Sequence, residues 1–287
     1  MELLEVIKGK LYLRYIVKLD DGNIVEFSDN TRNSREKHWV ICIPTQIGCP
    51  VGCFMCGSWQ IPYKRSLTAK EMESLVKFAV SKQQLHPSES KLFAISFLGI
   101  GEPAFNAREV ILAIDLFVKN WSFAKIIISS VGINNSKVIE LLINSAKKHE
   151  IGFQFSLLGF TDEERRKSVK LQQSQLLTLE EMAEIGRRFH SLTQRKMYLD
   201  LLVKEEHQNQ IDSGVVNLSK IFKPVSSFHI SINVGAQLGN PPEFTPPASS
   251  LSEQWYKLLK ANGFEVSYHR PLGVDNGCGI IARPKPN

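Results

Sequence analysis

No apolar run in this 287-residue chain approaches the ~20 residues that a membrane-spanning helix needs. The start, Met1-Glu2-Leu3-Leu4-Glu5, also lacks a basic-then-apolar signal pattern. A cytoplasmic protein with no membrane role is expected. Cysteine is scarce, at five residues, and too unevenly placed for a disulfide framework. None of the seven histidines stands at a metal-ligand spacing, so they read as structural or surface residues. Charge of one sign is not abundant either: 35 Lys and Arg against 29 Asp and Glu give a net +6. That balance suits an anionic partner without requiring one. The aromatic residues do not interleave with the basic ones as a base-stacking platform does.

What is present is a regular alternation. Leu11–Lys18 and Ile24–Phe27 are strand-like runs around Asp20-Asp21-Gly22-Asn23, a good hairpin turn, and residues 1–38 read as a small N-terminal β extension. From residue 39 strands and helices alternate to the C-terminus, so 39–287 reads as one core domain. Trp39–Pro44 is a strand, and the capping box Thr68/Glu71 opens a helix carrying Met72, Leu75, Val76, Ala79 and Val80 at helical spacing. Strands at Leu92–Leu98, Lys125–Ser129, Gly152–Leu157, Met197–Leu202, Phe228–Val234 and Phe264–His269 follow. The intervening helices include Arg108–Lys119, Ser136–His149 (burying Val138, Leu141, Leu142 and Ala146) and one capped by Thr178 and Glu181. Repeated βα units with β-branched strands imply a parallel sheet, open or curled into a barrel, with its chemistry at the carboxyl ends of the strands. Thr161–Gln175, polar and basic, and Leu238–Ser250, with four prolines, read as substrate-facing loops at those ends.

Three of the cysteines crowd into Cys49-Pro50-Val51-Gly52-Cys53-Phe54-Met55-Cys56, a C-x3-C-x2-C run directly after the first core strand. Four thiolates would complete a [4Fe–4S] or tetrahedral zinc site; three leave one iron open to a small molecule. A structural zinc site borrowing a fourth ligand, or accidental clustering, are the plainer readings. This run in this place resembles the radical-SAM superfamily, whose core is a partial (β/α)6 barrel. Gly99-Ile100-Gly101-Glu102-Pro103, one βα unit later, resembles that superfamily's GEP motif, which holds the methionine ammonium of S-adenosylmethionine.

The resemblance sharpens to the RlmN/Cfr family of RNA methyltransferases, whose layout residues 39–279 follow. It is carried by Cys42-Ile43-Pro44-Thr45-Gln46-Ile47-Gly48-Cys49, Leu67-Thr68, Gly101-Glu102-Pro103 with Asn106, Ser129-Ser130-Val131-Gly132 and Cys278-Gly279, with Val25-Glu26 similar to the family's V-E. The resemblance implies a [4Fe–4S] cluster on Cys49, Cys53 and Cys56, and S-adenosylmethionine held by Gly101, Glu102, Ser129, Ser156 and Asn233. An electron donor such as a flavodoxin-type reductant is implied as well. It also implies work for the two remaining thiols. Carbon C2 or C8 of adenine is electrophilic and cannot attack a methyl sulfonium directly. Instead Cys278 first takes a methyl group, a 5′-deoxyadenosyl radical removes hydrogen from it, and the carbon radical adds to the base. Glu26 is the implied acceptor of the ring proton. Cys42 then attacks the Cys278 sulfur, releasing the product and leaving a disulfide, which requires Cα atoms roughly 4.4–6.8 Å apart.

Three departures bear on substrate and none on the cysteines. The family's N-terminal helical domain, which helps grip RNA, is expected to be missing. Leu158 stands where the family has a histidine, and the stretch Arg270–Gly277 before Cys278 is shorter. Ribosomal or transfer RNA is the expected partner; a peptide or small heteroaromatic acceptor, or a non-catalytic iron–sulfur or zinc protein, are the alternatives. Arg165, Arg166, Lys167, Lys170, Arg35 and Lys37 are the cations that could meet phosphate.

Overall fold

The N-terminal strands are β1 (Glu2–Lys8), β2 (Tyr12–Lys18), β3 (Ile24–Arg32) and β4 (Ser34–Cys42). The computed structural model describes residues 1–233 and 249–269. The turn read at Asp20–Asn23 is there: Gly22 takes φ +83°, which an L side chain resists, and Leu19 N–H donates to Asn23 O at 2.7 Å. The Ser28–His38 segment, between the expected strands Ile24–Phe27 and Trp39–Pro44, is largely strand. It forms the two arms of the β3–β4 hairpin, with Ser28 opposite Cys42 and Asn30 opposite Val40. Ser28 to Arg32 and Ser34 to His38 are polar without a break, so no apolar alternation marked the extended strands.

After β4 the chain makes a small β5–β6 pair (Gln46–Ile47 and Arg65–Ser66) around the cysteine loop. The series then runs α1 (Ala69–Ser81), β7 (Phe93–Phe97), α2 (Ala107–Asn120), β8 (Lys125–Ser130), α3 (Ser136–His149), β9 (Gly152–Ser156), α4 (Asp162–Lys167) and α5 (Leu179–Thr193). It finishes with β10 (Met197–Leu202), α6 (Ile211–Ile221), β11 (Phe228–Asn233), α7 (Ser249–Ala261) and β12 (Glu265–His269). Ten strands form one sheet in the order β1-β2-β3-β4-β7-β8-β9-β10-β11-β12. The first three pairings are antiparallel and the rest parallel. Among the described residues the two edge strands do not pair with each other, so the α/β sheet is open, not a closed barrel.

Both expected capping boxes, Thr68/Glu71 and Thr178/Glu181, are formed. In α3 the buried stripe is Leu142, Ile143 and Ala146, while Leu141 is 43% exposed. Asn135 Oδ1 caps that helix by accepting from Val138 N–H at 3.2 Å, and Val138 is only part-buried. Thr161–Gln175 is also more ordered than read: Thr161 and Glu164 box the N-terminus of α4, and Arg165 points inward. Of Leu238–Ser250, all but Ser249 and Ser250, which begin α7, lies outside the described residues.

Adjacent helices touch in series along one layer. Against them lie Tyr15, Val17, Val25, Phe27, Trp39, Ile41, Phe93, Ile95, Phe97, Ile126, Ile128, Phe153 and Phe155, all buried in one core. Burial of each such side chain stabilises by roughly 1.5–3 kcal/mol. Because strand side chains alternate, the neighbours of these residues share the opposite face. That face carries Arg14, Glu26, Ser28, Asn30, Cys42, Ser96, Ser129, Gln154, Ser156, Asp200, Ser231 and Asn233. It is polar across nearly its whole width.

Candidate active site

The carboxyl ends of the parallel strands gather the expected residues on this helix-free face. Cys42 ends β4, Ser156 ends β9 and Asn233 ends β11, with Ser129 one residue from the end of β8. Gln154 Nε2 donates to Ser129 Oγ at 3.3 Å, and Asn233 Nδ2 to Asp200 Oδ2 at 3.0 Å. Glu26 sits in β3 on the same face, buried, with its Oε1 2.9 Å from Arg14 Nη1. Cys278 lies outside the described residues, so the distance between it and Cys42 is not part of this geometry.

Backbone contacts hold the cysteine loop. Asn106 Nδ2 donates to Thr45 O and Leu67 O, both at 2.8 Å, clamping the chain on either side of the loop. Phe54 N–H donates to Ser168 O at 3.0 Å, and Lys170 N–H to Val51 O at 3.0 Å, which ties the loop to the segment after α4. Gly48 takes φ +72°, and a Cβ there would collide with the Pro62 carbonyl. Gly52, at φ +65°, lies under the Lys170 stem. A small apolar cluster of Val51, Ala104, Val131, Ile133, Leu158, Val169 and Leu176 backs Cys49 and Cys53. Leu158, the substituted histidine position, is therefore a packing residue behind the loop, not a polar contact.

Cys49, Cys53 and Cys56 are part-buried free thiols. Burial pushes Cys49 up to about 12, with the charges of Cys56 and Glu102 adding to it. Cys53 is raised well above its ordinary value by burial and by both other loop thiols. The three sulfurs thus share one electrostatic neighbourhood. Among the described residues, no three His, Cys, Asp or Glu side chains converge as a closed metal-ligand set. The donor chemistry still fits an iron–sulfur cluster: three soft sulfurs on one loop, which resist ionising together until a cation balances them.

Glu102 is buried beside them. Its Oε1 accepts from Ala104 N–H at 3.0 Å and its Oε2 from Val131 N–H at 2.9 Å, joining the loops after β7 and β8. Its own N–H donates to Gln46 Oε1 at 2.9 Å. Burial raises this carboxyl above the usual range, while the Ser130 hydroxyl and then the Val131 and Ala104 amides pull it back. Gly101 takes φ +107°, and a Cβ there would meet Thr45 Oγ1 at 2.6 Å.

Cys42 has its own surroundings. Asn30 Nδ2 stands 3.4 Å from its sulfur and donates to Ser28 Oγ at 2.9 Å. Burial raises the thiol to about 11; Ser28, Arg14 and Asn30 pull it down, and Asp29 pushes it up. Sequence reasoning missed Arg14, Ser28, Asn30 and Gln46 as site residues. The available signal was Arg14 inside the apolar run Leu13–Val17, and the alternation Glu26, Ser28, Asn30 in one strand.

The cations proposed for phosphate divide. Arg165 is buried and donates through Nη2 to Val131 O (3.0 Å) and Leu177 O (3.1 Å), so it is a structural strut and not a phosphate contact. Arg35 is held on Asp29 at 3.1 Å and Lys167 on Glu163 at 2.7 Å. Arg35 and Lys37 stand at the start of β4, the end of the sheet away from Cys42.

Comparison with known proteins fits this geometry. No protein-family model matches the chain. The probable dual-specificity RNA methyltransferase RlmN of Pseudothermotoga lettingae is 25% identical over 274 residues, covering 93% of this chain and 75% of that protein. The chain is similar to RlmN methyltransferases over nearly its whole length. A second such protein, from Prochlorococcus marinus, is 27% identical and covers 98% of this chain and 79% of its own length. The RlmN likeness therefore runs through nearly every element described above. In fold, the chain superposes on a radical SAM methyltransferase from Sphaerobacter thermophilus with a TM-score of 0.82 and 20% identity, over 96% of this chain and 80% of that one.

Proposed function

We propose that the protein is a radical-SAM methyltransferase that methylates an adenine carbon, C2 or C8, in structured ribosomal or transfer RNA. The observation that carries this reading is the shared address of the expected residues. Glu26, Cys42, Ser129, Ser156 and Asn233 all fall on the helix-free face, four of them at carboxyl ends of strands, with the cysteine loop and Glu102 beside them. Near-full-length similarity to RlmN proteins supports the RNA substrate.

When bound, a reduced [4Fe–4S] cluster with S-adenosylmethionine supplies a 5′-deoxyadenosyl radical. Cys49, Cys53 and Cys56 are the residues to hold the cluster, and a flavodoxin-type protein is the proposed electron donor. Glu102, with Gly101, holds the methionine ammonium: a buried carboxylate that accepts from the Ser130 hydroxyl and two amides still has a fourth lone-pair site for a cationic donor. Ser129, Ser156 and Asn233 offer hydroxyl and amide groups for the rest of the cofactor. Cys278 carries the methyl group, Glu26 takes the ring proton, and Cys42 attacks the Cys278 sulfur to release the product.

The test is peptide mass spectrometry of the reconstituted protein after incubation with S-adenosylmethionine and RNA. A methyl group on Cys278, and a covalent Cys278–RNA adduct that accumulates in Cys42→Ala, are expected. An adduct to a peptide or small molecule would redirect the substrate, and an unmodified Cys278 would overturn the methyltransferase reading.

A further inference from the structure

Arg14 is a full positive charge inside the sheet face that carries the chemistry. The residue is 2% exposed, and its ion pair with Glu26 is buried on both sides. Its Nη1 is spent on Glu26, and its Nε has no partner. A buried pair of this kind is costly to desolvate and is often replaceable by apolar side chains without loss of stability. Its place in the sheet suggests a second use. Arg14 is register partner to Ser28, and Ser28 is register partner to Cys42, so the three lie in one row across β2, β3 and β4. Ser96 continues the row on β7 and brings no charge. Asn30, one diagonal step away, points its amide at the Cys42 sulfur.

We infer that Arg14 is a positioning residue for Cys42: pinned by Glu26, it is the fixed cation that favours the Cys42 sulfur as an anion, with Ser28 and Asn30 as neutral donors. The inference rests on the proposed function for its chemical use. There, the Cys42 thiolate forms an S–S bond to Cys278 as the bond from the Cys278 sulfur to the bridging methylene breaks. The electron pair passes to the methylene carbon and adenine ring, which take a proton from solvent to give the methyl product. The two sulfurs are oxidised to a disulfide and the methylene is reduced to methyl. The nucleophile in that step is a thiolate, whose formation depends on nearby positive charge. The charged groups facing Cys42 are Arg14 and, through it, Glu26; Asp29, the next carboxylate on β3, acts in the opposite sense.

The experiment follows the pH dependence of Cys42 labelling by iodoacetamide in the reconstituted, anaerobic full-length protein, read by peptide mass spectrometry. In Arg14→Gln the labelling profile should move to higher pH, with a rate about tenfold lower at fixed pH, and Arg14→Lys should restore most of it. If Arg14→Gln does not fold, the neutral pair Arg14→Gln/Glu26→Gln measured against Glu26→Gln must show the same slowing. During turnover Arg14→Gln should accumulate the Cys278 adduct as Cys42→Ala does, but with rescue by raised pH. An unshifted labelling profile in folded Arg14→Gln, or in the double variant against its parent, would overturn the inference while leaving the Cys42→Ala adduct intact. Absence of any adduct in Cys42→Ala would instead remove the methyltransferase reading and leave the labelling shift standing.

Discussion

Two buried titratable side chains do different work. Glu102 joins two loops by accepting the amides of Ala104 and Val131, so removing its carboxylate strands two buried donors. Each unsatisfied donor costs about 1–3 kcal/mol. Glu102→Ala should therefore lower the urea-unfolding free energy by about 2–4 kcal/mol, and Glu102→Gln by less, since it keeps an acceptor. His207 is wholly buried against Phe160 and accepts the Lys204 amide at Nδ1 (3.2 Å). Burial first, then Lys204, lowers it to about 4. The unfolded chain protonates this histidine more readily than the native one, so stability rises with pH across the interval between their pKa values. Its contribution is present at pH 7 and is lost as pH falls from about 6.5 towards 4. Acidification over that span should cost on the order of 3 kcal/mol through this group. His207→Asn should flatten that part of the stability–pH curve; an unchanged curve would count against it.

At the scale of elements, the loops after the strands are fixed by struts that a hydropathy pattern cannot reveal. Arg165 on α4 reaches the carbonyls of Val131 and Leu177, binding three segments together. Arg165→Ala should destabilise by about 2–4 kcal/mol, since two charge-assisted bonds and a buried stem are lost. Arg166→Ala, a few ångströms along the same helix, should stay within about 0.5 kcal/mol. Equal effects in thermal unfolding would refute this division. The helices and parallel strands were readable from capping boxes and apolar spacing, because both signals are local. The β3–β4 hairpin was not, because its inner face is polar by necessity: Glu26, Ser28 and Asn30 line the site. Arg165 was misread for a related reason. Charge in sequence does not say which carbonyls a guanidinium can reach, and only the packing of α4 against the β8 loop decides that.

Across the whole molecule, one open sheet separates packing from chemistry: the helix side is apolar and the other side bears the polar candidates. The cysteine loop, the Gly101-Glu102 turn and the ends of β8, β9 and β11 were all legible, since motifs and strand ends coincide. The row Arg14–Ser28–Cys42 was not, because register between strands is a long-range property. No helix among the described residues is long and apolar enough to cross a membrane. The proposed chemistry requires that three loop sulfurs hold a redox cluster with an open corner. Its most direct measurement is 5′-deoxyadenosine release by the anaerobically reconstituted, reduced protein with S-adenosylmethionine. About four irons per chain and 5′-deoxyadenosine formation that disappears in Cys53→Ala are expected. Tight binding of one zinc, with no iron and no 5′-deoxyadenosine, would contradict the account.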